Sequence, residues 1–141
     1  MLTSWYFWVA AIATGLAYGW WTKEGWWDDP IGILPNLIGF SLGGYAMLLS
    51  VGDDRFRAAL AGSKNNEPSP FAVINASFVH FIIVQICALF SAVALKNFYV
   101  SPPSVVSWLH LDQFLCLLAY PAWAVAYFLF LYALLLAAAA T

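Results

Sequence analysis

The residues with chemistry to offer are few, and most of them lie in one apolar stretch. Between Phe71 and Leu95 the chain reads FAVINASFVHFIIVQICALFSAVAL, and within it Ser77, His80, Val84, Cys87, Ser91 and Ala94 recur at alternating spacings of three and four. That spacing lines one face of a helix. His80 is the one ionisable side chain well inside the stretch, and imidazole alone among side chains changes charge near neutral pH without a perturbing neighbour. An ionisable group surrounded by hydrocarbon faces a protein interior or a water-filled cavity. Two readings follow. Either the stripe packs against another helix, with a neutral His80 bonded to a hydroxyl, an amide or a carbonyl, or it lines a polar seam through which ions pass between several copies. A narrower row of the same kind, Asn36, Gly39, Gly43, Met47 and Ser50, occupies the preceding apolar stretch. Asn75 and Gln85 fall on other faces of the His80 helix, where amides act as hydrogen-bonding glue between helices.

Other chemistry is sparse. His80, His110, Cys87 and Cys116 are the soft ligands of the chain, and none forms a CxxC, HxxxH or HExxH pair. No zinc or haem motif results, and the cysteines read as reduced packing residues in apolar helices. The carboxylates Asp28-Asp29 and Asp53-Asp54 flank apolar runs rather than converging on a site. With no GxGxxG, P-loop or GxSxG motif either, the reading is a protein without catalytic residues, metal or cofactor.

The elements that must position the stripe follow from composition. The 141 residues are 64% hydrophobic and only 9% charged, against about 25% charged in a soluble domain, and the mean hydropathy is +0.82. An ordinary cytosolic domain, a disordered chain and a disulfide-stapled miniprotein are excluded. Five basic residues against seven acidic ones leave no basic block for nucleic acid. The lipid bilayer is the expected partner.

A helix needs about 20 apolar residues to cross hydrocarbon, and four runs qualify, at approximately 4–21, 31–52, 71–95 and 113–138. None alternates with period two, and lipid demands that backbone groups be satisfied within the segment, so the expected fold is all-α: an integral membrane four-helix bundle in a single domain over 1–141. Ser69 reads as the N-cap of the third run and Pro70 as its first helical residue. Asp28 and Asp29 read as the cap of a helix beginning at Pro30. The first run lacks the charged start and small-residue cleavage site of a secretory signal and is read as a retained span. Its aromatic ends, Trp5, Tyr6 and Trp8 against Tyr18, Trp20 and Trp21, suit two interfacial belts.

Four spans place both termini on one side. Arg55, Arg57 and Lys64 in the central loop outnumber Lys23 and Lys96 on the opposite side, so the positive-inside bias puts the termini and the loop 53–70 in the cytoplasm of an inner membrane. The same three cations are the candidate docking site for a protein partner. In the third loop, Pro102-Pro103 followed by a helix-compatible stretch predicts a short interfacial helix with Trp108 at headgroup level.

Ala11, Gly15 and Gly19 form a small-residue ridge on the first span, as do Gly39 and Gly43 on the second. Small residues at four-residue spacing let helix backbones approach closely in lipid. These ridges either pack against each other within the chain or join copies into a homo-oligomer.

The layout, with the small-residue-rich second span running into a charged stretch as FSLGGYAMLLSVGDDRFRAAL, resembles the RexB-type phage-exclusion protein and other small four-span components of bacterial anti-phage systems. The resemblance covers the arrangement of most of the chain and no diagnostic motif. It implies an effector that dissipates ion gradients when a partner senses infection. The tryptophan-rich first span and weakly basic central loop depart from that type. The leading expectation is an oligomeric protein that forms or gates an ion-conducting pathway along His80, Ser77, Cys87, Ser91 and Asn36. The alternative is a non-conducting anchor or assembly subunit that docks a partner through the loop 53–70.

Overall fold

A computed structural model describes residues 5–50, 69–100 and 112–140. Regular structure among them is entirely helical: α1 (Trp5–Leu16), α2 (Tyr18–Trp21), α3 (Asp28–Ser50), α4 (Pro70–Val100) and α5 (Asp112–Ala140). The start of α4 follows the sequence signal. Ser69 Oγ accepts from the Ala72 backbone N–H at 3.2 Å, and Pro70 opens the helix where its missing N–H costs nothing. Helix α3 begins at Asp28, two residues before the expected Pro30, so that both aspartates lie in its first turn and meet the positive end of the helix dipole. Gly25, at φ +89°, makes the turn into it and accepts the Asp28 N–H at 3.1 Å.

The first apolar run is not one continuous helix. It breaks at Ala17, and α2 follows. The carbonyl of Thr14, which the Tyr18 N–H would meet in an unbroken helix, instead accepts from Trp21 Nε1 at 2.9 Å. Folding the indole back onto α1 satisfies that carbonyl and buries Trp21.

Among the described residues two helices, not the expected four, are long and apolar enough to cross a membrane, Pro70–Tyr99 with a mean hydropathy of 2.4 and Ala119–Ala139 with 2.1. Less than a third of either apolar window is buried by the chain itself. Their outward sides are therefore greasy, with Val79, Ile83, Phe90 and Val125 exposed, a pattern compatible with a membrane location. Helix α1, with 12 residues, rises only about 18 Å, less than the hydrocarbon thickness of about 30 Å.

Packing follows chain order except at α1, whose main partner is α5. Helix α1 packs on α5, α5 on α4, and α4 on α3. Where α1 meets α5, Phe7 presents its edge to Phe128 and Tyr132, at ring separations of 5.1 and 6.2 Å. One buried cluster joins Ala10, Leu34, Val84, Ala88, Phe130, Tyr132 and Ala133. A second joins Trp21, Trp26, Trp27, Ala92 and Ala126 near the turn between α2 and α3. The small residues at the centre of these contacts are alanines. Ala88 and Ala92, four apart on α4, lie against Ala126 and Ala133 of α5, and all four are buried.

Candidate functional site

The α4 stripe divides along its length. His80 lies edge-on to the Tyr132 ring of α5 at 6.4 Å, and its Nε2 is buried without a hydrogen-bond partner. Val84 is buried in the α4–α5 contact. Ser77, Cys87 and Ala94 are exposed and Ser91 is half-buried. The two hydroxyls bond to their own helix, Ser77 Oγ donating to the Val73 carbonyl and Ser91 Oγ to the Ala88 carbonyl, each at 2.9 Å. The stripe therefore runs along the outer margin of the α4–α5 contact. Among the described residues it encloses no lumen.

The polar bonds between helices come from other faces of α4. Gln85, completely buried, donates through Nε2 to Ser41 Oγ of α3 at 3.3 Å, and Ser41 donates in turn to the Leu37 carbonyl at 2.6 Å. The Tyr45 hydroxyl donates to Asn75 Oδ1, and the Tyr45 ring lies 5.4 Å from Phe78. Gln85 Oε1 remains buried without a donor. Asn75 and Gln85 thus act as the glue their positions suggested, with Ser41 and Tyr45 as partners that the spacing of the stripes did not reveal.

The row on α3 faces outward throughout. Asn36, Gly39, Gly43, Met47 and Ser50 are all exposed, Asn36 Nδ2 reaching only the Gly32 carbonyl at 3.4 Å and Ser50 Oγ the Met47 carbonyl at 2.9 Å. A methyl group added at Gly39 or Gly43 would meet no atom within 4 Å, and the same holds for Gly15 and Gly19 on the α1–α2 side. Ala11 is half-buried. The two ridges therefore do not pack against each other within the chain. The physical reason is that α1 is drawn to α5 by the Phe7 rings and α3 to α4 by amide and hydroxyl pairs. Directional contacts of these kinds outweigh the close approach that glycine alone permits.

Arg55, Arg57, Lys64, Asp53, Asp54, Trp108 and His110 lie outside the described residues, and with them the docking loop and the interfacial helix. The side chain of Cys116 does too. Among the described residues no group of three or more His, Cys, Asp or Glu is placed to hold a metal ion.

At the opposite end of α3, aromatic rings and charges meet. Trp27 touches the rings of Trp26, Tyr99 and Trp123 at 6.2, 5.0 and 5.9 Å, and Trp26 meets Tyr127 at 5.7 Å. Lys96 of α4 pairs with Asp28 of α3 at 2.8 Å, the two side chains 43% and 61% exposed. Lys23 sits over the Trp20 ring at 5.6 Å. Because the Lys96–Asp28 pair is largely solvated, Lys96→Met is expected to cost less than about 1 kcal/mol, measured as a shift in the denaturation midpoint in detergent.

Compared with protein-family models, curated proteins and solved structures, the chain finds no match.

Proposed function

We propose that the chain is a helical integral membrane protein whose role is assembly: it joins a second copy of itself through the outer face of α3. The observation that carries this reading is the exposed row Asn36, Gly39, Gly43, Met47 and Ser50, with open space beside both glycines. In hydrocarbon a bare helix backbone and a side-chain amide are poorly accommodated, and close contact with another helix is the usual remedy. Copies inserted in the same orientation are related by an axis along the membrane normal, so like residues lie at like depth. The α3 row then meets its own counterpart, a self-complementary two-fold contact.

The experiment is the mass of the purified protein in mild detergent, by light scattering, for wild type and Gly39→Leu/Gly43→Leu. A dimer is expected for the wild type, since a two-fold contact closes on itself. The variant should associate at least tenfold more weakly, because two isobutyl groups hold the backbones apart. A wild-type monomer at every concentration, or a variant of unchanged mass, would sink the proposal.

An ion pathway is the second reading, favoured by Ser77 and Cys87, which lie exposed on the otherwise greasy outer side of α4. Such a pathway runs between copies, in the manner of an effector that dissipates an ion gradient. Its test is ion flux from liposomes. Loss of flux in Ser77→Leu, with flux retained in Gly15→Ala, supports it, and a tight vesicle with the assembled wild type removes it.

A further inference from the structure

Helix α3 is anchored along one half and tied along the other. Ahead of Pro35, Pro30 and Leu34 are fully buried, Ile31 packs into the tryptophan cluster, and Leu37 just beyond packs into the main core. From Ile38 onward the one buried residue among the described side chains is Ser41, while Gly39, Phe40, Leu42, Gly43, Gly44, Ala46 and Met47 are exposed. What ties this half to α4 is polar and local: Gln85 to Ser41, Tyr45 to Asn75, and the Tyr45 ring on Phe78.

The junction between the halves carries the features that make helices bend. Pro35 lies inside the helix, so the Ile31 carbonyl has no backbone donor and is crowded by the proline ring. Asn36 Nδ2 covers the next carbonyl, that of Gly32, only at 3.4 Å. One turn on, Ser41 donates to the Leu37 carbonyl, a back-bond that bends helices, and Gly39, Gly43 and Gly44 lower the intrinsic helix preference of the arm. The tie itself is half-made, since Gln85 Oε1 is buried with no donor.

We propose that α3 is a hinged arm. The segment from Ile38 to Ser50 swings about the turn at Pro35 away from α4, with Leu37 staying in the core, releasing the Ser41–Gln85 and Tyr45–Asn75 pairs together and uncovering the α4 face that carries Asn75 and Gln85. In the open position Gln85 Oε1 gains the donor it lacks when closed, from water or from a partner side chain. A change of about 20° at the proline moves the end of an arm about 20 Å long by about 7 Å.

The test is dipolar electron paramagnetic resonance on the full chain, one chain per nanodisc, so that assembly through α3 plays no part. Spin labels sit at Met47→Cys on the arm and Ala76→Cys on α4, with Cys87→Ser and Cys116→Ser removing the native thiols. Two separations about 7 Å apart are expected. Asn75→Leu/Gln85→Leu should raise the ratio of long to short at least fivefold. Pro35→Ala, which restores the missing backbone donor, should leave the short one alone. A single short separation in all three, or two separations whose weights the leucine pair does not alter, overturns the hinge. Far-UV circular dichroism confirms that each variant remains helical.

Discussion

Trp27→Ala is expected to destabilise the chain by about 3–5 kcal/mol, the cost of removing a large ring from a packed aromatic site. Trp27 is only 3% exposed and touches rings from three places in the sequence, Trp26 beside it, Tyr99 at the end of α4 and Trp123 in α5. Its loss opens a cavity at the point where the turn into α3 is held against the two long helices. Trp26→Phe is the control. Trp26 Nε1 is buried and has no acceptor, so the phenyl ring removes an unsatisfied donor while keeping most of the volume, and the two effects offset to within about 1 kcal/mol. Unfolding by sodium dodecyl sulfate titration in mixed micelles, followed by circular dichroism, reads both. Equal losses in the two variants would mean that removing the Trp27 ring leaves no cavity of consequence, and that Trp27 is not the packed centre of the cluster.

Ala88→Leu should cost about 1–3 kcal/mol, and Ala133→Leu a similar amount, because neither position has space for a branched side chain. Both alanines are completely buried in the same cluster as Val84 and Phe130, and the extra carbons can be placed only by separating α4 from α5. Gly43→Leu supplies the contrast. Its added side chain enters open space, so the unfolding midpoint of the monomer should stay within about 0.5 kcal/mol of wild type, even as self-association is lost. The pair of measurements separates packing within the chain from packing between chains. If Gly43→Leu destabilised the monomer as much as Ala88→Leu, the α3 face would already be covered within one chain.

Glycines at four-residue spacing marked two ridges; the one on α3 is a continuous helical face, the other is interrupted at Ala17 between α1 and α2, and the glycines of both point outward. The small residues that meet inside are Ala88, Ala92, Ala126 and Ala133. The signal for them was present as an alanine pair four apart on α4, next to Ser91. It was masked by the abundance of alanine in every apolar run. For the polar stripe the outcome is similar. Spacing placed Ser77, His80, Cys87 and Ser91 on one side of α4, yet that side lies at the margin of a contact, so His80 turns inward while Ser77 and Cys87 turn outward.

Local chemistry written in the sequence by itself determined that the apolar runs are helical, though not the break at Ala17: Ser69 and Pro70 open α4, and apolar runs without period-two alternation favour helices over strands. It likewise determined that Asn75 and Gln85 would bond across helices, because a buried amide has to find a partner. Only the tertiary structure decided which helices neighbour which, and hence which faces remain open. Helix periodicity states which residues share a side but not what lies opposite. That choice rests on contacts between distant segments, Phe7 with Phe128, Ser41 with Gln85 and Trp27 with Trp123, whose combined fit no single segment encodes.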